Sequence, residues 1–189
     1  MDWIFFLICI LLCVNMLIYS FRYSITPTPT SQKVLIDLFN MLPEMIKGEI
    51  AELGSGWGTV LLPLARHFPR CQVTGFEISP FPYLVSKIIA TVLGVSHLII
   101  LRQDFFQISL SRFSLVVCYL YPGAMEKLKI KFENELNPDS YVLSHTFAIP
   151  DWKPLNMIRS DDLYKTPIYL YQVKTAFLGG QQLKESPEK

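Results

Sequence analysis

Three acidic residues and three glycines stand at spacings that suit a nucleoside. The stretch Glu49-Ile50-Ala51-Glu52-Leu53-Gly54-Ser55-Gly56-Trp57-Gly58-Thr59 carries an acid inside a short apolar run, then glycines at alternate positions, then a helix-like segment. Glycine has no Cβ, so at such a strand-to-helix turn a ligand lies directly against backbone N–H groups. Glu77 closes the next apolar run, Gln72–Glu77, and falls 19 residues beyond Gly58 (77 − 58). An acid about 20 positions past a glycine turn, at the end of a second strand, can accept from both ribose hydroxyls. Asp104 ends a third run, Leu98–Gln103, and is followed by Phe105 and Phe106. Strands often end in Asp for turn reasons alone, but three acids in order, each after a strand, make a pattern. A fourth run, Leu115–Leu120, leads through Tyr119 and Tyr121 into Pro122 and Gly123.

The elements that must position these residues alternate. A helix is expected at about 32–43, capped by Thr30 or Ser31, with Val34, Leu35, Leu38, Phe39 and Leu42 on one face. Strands are expected at 48–53, 72–77, 98–102, 113–120 and 140–147, with helices at 57–68, 80–93 and 124–136. Two further strands fall near 154–160 and 167–174. Strands alternating with helices call for an α/β fold: a mostly parallel sheet, helices on both faces, and an antiparallel edge strand. In such sheets ligands bind at the carboxyl ends of the strands, around the topological switch point. The glycine loop, Glu77, Asp104 and the end of the fourth strand should converge there.

The chain has 189 residues and a net charge of +1, without a basic block, so no nucleic-acid footprint is expected. Its four cysteines (Cys9, Cys13, Cys71 and Cys118) lack C-x-x-C spacing and read as buried thiols, the latter two in strands. His67, His97 and His145 are scattered, which gives a metal site no support; His67 suits a helix C-terminus. From Trp3 to Phe21 no residue is charged, and as a helix this run would extend about 28 Å, enough to cross a bilayer. Trp3 at one end and Tyr19, Phe21 and Tyr23 at the other suit interfacial belts. A cleaved signal peptide fits less well, because Asp2 stands where a cation is wanted and no A-x-A-like site follows. Arg22 and Lys33 follow the run and no cation precedes it, so a single-pass anchor would leave the rest of the chain on the cytoplasmic side. The resulting organisation is an anchor at 1–23, a Pro/Thr linker and amphipathic helix at 24–47, the α/β domain at 48–178, and a polar tail at 179–189.

Counted from Gly54 and Gly56, a G-x-G-x-x-G dinucleotide loop would place its third glycine at Thr59, whereas here it comes early, at Gly58. E-x-G-x-G-x-G instead resembles motif I of the class I S-adenosyl-L-methionine (SAM) methyltransferases, and implies their Rossmann-like fold. A narrower resemblance runs over about residues 3–174: an apolar N-terminal segment, Pro27-Thr28-Pro29-Thr30, E-L-G-S-G-W-G, G-F-E-I-S-P, Q-D-F-F and C-Y-L-Y-P-G-A-M in this order. It is similar to the membrane-anchored lysine methyltransferases of ATP synthase and of the adenine nucleotide translocase, with their prokaryotic relatives. The resemblance implies SAM contacts from Glu52, Gly54, Ser55, Gly56, Trp57, Gly58, Glu77, Ile78 and Tyr119. Asp104 would accept the adenine amine and Phe105 would cover the ring. Pro27, Thr28, Pro29 and Thr30 would close over the cofactor, and Tyr119 with Tyr121 would line the acceptor channel as catalytic residues. Where relatives often have Asp, this motif has Glu52 and Trp57. The expected activity is methylation of a lysine in a membrane-associated protein. A lipid headgroup or quinone as acceptor, a SAM-binding scaffold without catalysis, and a nicotinamide-dependent oxidoreductase are the alternatives.

Overall fold

The computed structural model describes residues 29–176, together with Trp3, Phe6 and Leu7. Most of the apolar run, Cys9, Cys13, Pro27, Thr28 and the tail from 177 onward lie outside the described residues. Among the described residues no helix is long and apolar enough to cross a membrane, so the expected anchor continues to rest on sequence.

The first helix, α1 (Gln32–Met41), opens at Ser31, whose hydroxyl accepts from the Val34 N–H at 3.4 Å. Its buried side chains are Val34, Leu35, Leu38 and Met41. There follow β1 (Glu49–Leu53), α2 (Leu61–His67), β2 (Val73–Phe76), α3 (Pro80–Val92), β3 (Leu98–Leu101) and a 3-10 turn (Phe105–Gln107). The second half comprises β4 (Phe113–Cys118), α4 (Pro122–Glu135), β5 (Tyr141–His145), β6 (Asn156–Arg159) and β7 (Pro167–Gln172). Proline at the first helical position sets φ and loses no hydrogen bond, which is why α3 and α4 begin at Pro80 and Pro122.

The seven strands lie in the order β3-β2-β1-β4-β5-β7-β6. β1 to β5 pair in parallel, and β7 is antiparallel to both β5 and β6. The antiparallel strand is therefore next to the edge, not at it as the sequence led us to expect. The reason is physical. The 160–166 connection is too short for a parallel crossover and must make a hairpin. β7 buries Ile168 and Leu170 on one face and Tyr171 on the other, so it takes the inner slot. β6, exposed at three of its four positions, can tolerate the edge.

Period-two alternation divides the core. Ile50, Leu115, Val117 and Leu143 face α1, α2 and α3. Ala51, Leu53, Val116, Cys118 and Val142 face α4 and the 3-10 turn. Three boundaries differ from expectation at the functional end of the sheet. α2 begins at Leu61, not 57, because Gly56 and Gly58 have φ of 51° and 79°, outside the right-handed helix. α4 starts two residues earlier, at Pro122, and β4 ends at Cys118, which leaves Tyr119 and Leu120 in the connection. Cys71 is buried, but in the turn before β2.

Candidate functional site

Strand order reverses between β1 and β4, and the expected residues gather at the carboxyl ends of the strands beside that switch point. The Gly54 and Ser55 N–H groups both donate to the Phe76 carbonyl at 2.9 Å, which folds the loop back over β2. Gly58 has φ 79°, and a Cβ there would come within 3.2 Å of the Ser86 Cβ on α3. At Gly54, φ 75°, a Cβ would meet Leu120 Cδ2 at 2.9 Å. Both positions favour glycine for conformation, and at Gly58 the Ser86 Cβ limits space as well.

Glu77 is the keystone of the loop. Its Oε2 accepts from the Gly56 N–H at 2.8 Å and its Oε1 from the Ser79 N–H at 2.7 Å. Each carboxylate oxygen has a second acceptor site, so a diol can still donate to this buried group. Glu52 differs. It is 7% exposed on β1, and its Oε2 has no hydrogen-bond partner. Burial first, and then the Glu77 charge, raise its pKa well above the usual carboxylate range. Ser55 Oγ is likewise buried and unpartnered. Orphaned buried polar atoms at the open end of a sheet call for a donor-rich, cationic ligand.

The other expected residues sit further along this edge. Asp104 accepts from the Phe106 N–H at 2.9 Å and from Gln107 Nε2 at 3.4 Å, capping the 3-10 turn. Phe105 is packed in the core cluster of α4, 8% exposed, with its ring tilted on the half-buried Phe106 at 4.7 Å. Ile78 is half-buried, and its carbonyl accepts from Arg102 Nε at 3.5 Å, linking the ends of β2 and β3. Trp57 meets Phe81, on the first turn of α3, edge-on at 5.5 Å.

One site residue escaped the sequence reading. The His145 ring stacks on Tyr119 with centroids 4.1 Å apart and planes 28° from parallel. Its Nε2 lies 3.4 Å from Thr30 Oγ1, and its Nδ1 lies 3.3 Å from Thr146 Oγ1. Burial lowers its pKa to about 4, so the ring is neutral. Thr146 holds φ 70°, uncommon for a β-branched residue, and is pinned by its N–H to the Pro167 carbonyl at 2.8 Å. The Thr30 N–H also reaches Thr59 Oγ1 at 3.5 Å, so the end of the Pro/Thr linker bridges the glycine loop and the Tyr119 wall. Tyr121 N-caps α4 and is half-buried; Pro29 precedes Thr30 at the start of the described chain. No linear spacing signals His145. Only the register Cys118↔Ser144 brings positions 119 and 145 together.

Cys118, the last residue of β4, is an inert thiol: burial and the neighbouring Glu52 charge push it up to about 12. Among the described residues no cluster of three or more His, Cys, Asp or Glu side chains could hold a metal ion. A Tyr-x-x-x-Lys spacing of the kind used by nicotinamide-dependent reductases does occur, at Tyr83 and Lys87. It is an i,i+4 pair on α3, Lys87 Nζ donating to the Tyr83 hydroxyl at 2.9 Å on an exposed surface.

Comparison with known proteins agrees with this geometry. Residues 52–156 match the family described as the ANTKMT methyltransferase domain. A protein-lysine N-methyltransferase of Saccharolobus islandicus is 28% identical over 77% of this chain and 91% of its own length. The adenine nucleotide translocase lysine N-methyltransferase of Mus musculus is 28% identical over 59% of this chain, which spans about half (48%) of that relative. Among solved structures, an RNA methyltransferase from Salinibacter ruber in complex with S-adenosyl-L-homocysteine superimposes with a TM-score of 0.70 at 24% identity. That match covers 86% of this chain and 98% of the other, and it establishes the fold. The glycine loop, the paired carboxylates and the orphaned Glu52 oxygen fit SAM, whose ribose donates hydroxyls and whose sulfonium and ammonium are cationic. The chain belongs to the ANTKMT methyltransferase domain family, and it is a SAM-dependent methyltransferase.

Proposed function

We propose that this methyltransferase acts on the ε-amino group of a lysine in a membrane-associated protein, with residues 3–21 as a single-pass anchor and the catalytic domain on the cytoplasmic side. The observation that carries the acceptor is the Tyr119–His145 stack, an aromatic, uncharged wall beside an anionic cofactor site. The names of the Saccharolobus and mouse relatives support the same acceptor class. The long uncharged N-terminal run and the cations that follow it support the membrane and the orientation.

SAM supplies an electrophilic methyl group on a sulfonium, so the chain needs no nucleophile of its own. The glycine loop and Glu77 hold and orient the nucleoside. Tyr119 and Tyr121 exclude water at the acceptor, which favours the neutral amine a transfer requires. Their rings then stabilise the cation that forms on nitrogen. A protonated histidine at this wall would repel the cationic cofactor and the ammonium that forms on transfer, and His145, with its pKa lowered to about 4, avoids that.

The test is incubation of the full-length chain with methyl-labelled SAM and membranes from a strain lacking this gene. Label in a protein band that hydrolyses to methyl-lysine establishes the reading and identifies the substrate. Label in lipid or quinone keeps the enzyme and overturns the acceptor. Absence of label, from protein that binds SAM, favours a scaffold. Protease accessibility of the catalytic domain in right-side-out and inverted vesicles decides the orientation.

A further inference from the structure

α3 (Pro80–Val92) has the wrong surface for a helix facing water. Leu84, Ile88 and Val92, spaced by four, are 52%, 54% and 79% exposed. Ile89 and Leu93, 38% and 43% exposed, flank them. The opposite side is buried through Pro82, Ser86 and Ala90, so this helix is apolar nearly all round. By contrast α4 turns Glu126, Lys127 and Asn134 outward, as an ordinary solvated helix does. The helix runs about 20 Å over its 13 residues and the stripe from Leu84 to Val92 about 12 Å of it, a contiguous exposed apolar patch of the kind that marks an interaction surface.

Charge says what covers it. From Ile78 to Gln103 there is no Asp or Glu, while Lys87 and Arg102 are both exposed. A twofold copy seated here would set Lys87 and Arg102 against their own counterparts with no acid in the patch to neutralise them. Residues 3–21 carry no charge to complement them. We infer that the outer face of α3 lies in the interfacial layer of a bilayer containing anionic lipid, with Lys87 and Arg102 at the headgroups. An apolar face flanked by cations binds such a surface through both terms. Lys87 Nζ lies 5.3 Å over the Tyr83 ring and can extend past the apolar side chains to the headgroups. Trp57 and Phe81, at the helix's first turn, suit the same depth.

The inference extends the membrane reading above to a second contact, and the face would hold a bilayer whether or not residues 3–21 cross it. α3 begins three residues after Glu77 (80 − 77), so docking brings the cofactor loop to membrane level and restricts acceptors to groups near the headgroups.

The experiment replaces exposed Ile88 with the photo-crosslinking residue benzoyl-phenylalanine in the full-length chain. The protein is reconstituted in phosphatidylcholine vesicles with and without phosphatidylglycerol, and retained SAM binding confirms the fold. Irradiation should yield a lipid adduct that rises severalfold with phosphatidylglycerol. The pair Lys87→Glu and Arg102→Glu should return it to the level of uncharged vesicles. An adduct with residues 3–21, or with a second copy, overturns the inference and names the true occupant. Protein that resists carbonate extraction yet gives no lipid adduct at position 88, nor at a second probe at 92, overturns it while leaving the anchor intact. Extractable protein that still gives the adduct upholds the face and removes the anchor.

Discussion

Glu52→Gln should make the cofactor-free protein more stable and the enzyme worse. Glu52 is 7% exposed, its Oε2 is unpartnered, and Glu77 is close enough to oppose its ionisation. Its folded pKa is therefore raised above the unfolded value near 4.5. Above that pH the unfolded chain releases a proton that the native state retains, so Glu52 costs stability as pH rises toward the folded pKa. Glutamine removes that titration. The amide is as unpartnered as the acid, so the difference is the titration alone; at about 1.4 kcal/mol per pKa unit the variant should gain more than about 1 kcal/mol at pH 8 and nearly nothing at pH 4.5. SAM binding should fall by roughly 10- to 150-fold, the value of one charge-assisted hydrogen bond. Urea denaturation of the full chain at both pH values, with cofactor absent, measures the first quantity; calorimetric titration with SAM measures the second. A Gln variant less stable than the parent at pH 8, or with the same difference at both pH values, would refute the reasoning.

Glu77→Gln should destabilise instead, by about 2–4 kcal/mol in the same denaturation assay, because an amide nitrogen would face one of two buried N–H donors. His145 titrates at about 4 when folded against 6.5 unfolded, so its contribution is complete above pH 6.5. As pH falls across that window the unfolded chain takes up the extra proton, and up to about 3 kcal/mol is lost. His145→Asn should flatten that limb of the stability–pH curve, as read by melting scans at stepped pH. Gly58→Ala forces φ 79° on a side chain whose Cβ meets Ser86 Cβ at 3.2 Å. It should cost about 1–3 kcal/mol and at least tenfold in SAM affinity, whereas Gly94→Ala, with open space around it, should leave affinity unchanged.

The sequence was most readable where one residue type has one physical job. The glycines at 54, 56 and 58 adopt the positive φ that only glycine takes freely, and Glu77 stands at the strand end where it receives the Gly56 N–H. Ser31 caps α1, and His67 ends α2, as local chemistry required. Legibility failed where the answer depends on pairing across the chain. Nothing near 167–174 says that β7 inserts between β5 and β6; relative burial of two hairpin strands decides it. His145 joins the Tyr119 wall through the β4–β5 register. The membrane-facing proposal for α3 was hidden for a related reason. A run apolar on every side reads as core until the sheet is seen to cover only one of its faces.

The strand order also dictates when the site can come into being. β1, β2 and β3 are consecutive in the chain, and each pairs with the next, so every strand of this half leaves the ribosome before β4 is made. It carries Glu52, the glycine loop, Glu77 and, just beyond β3, Asp104. Until residues 113–118 are made, however, the other edge of β1 stays open, an unpaired strand beside a nearly complete cofactor cradle. Tyr119 and His145 arrive only with β4 and β5. The nascent chain thus carries the glycine loop and its carboxylates before the Tyr119–His145 wall, and closing the central β1–β4 seam both protects the exposed edge and joins the two halves.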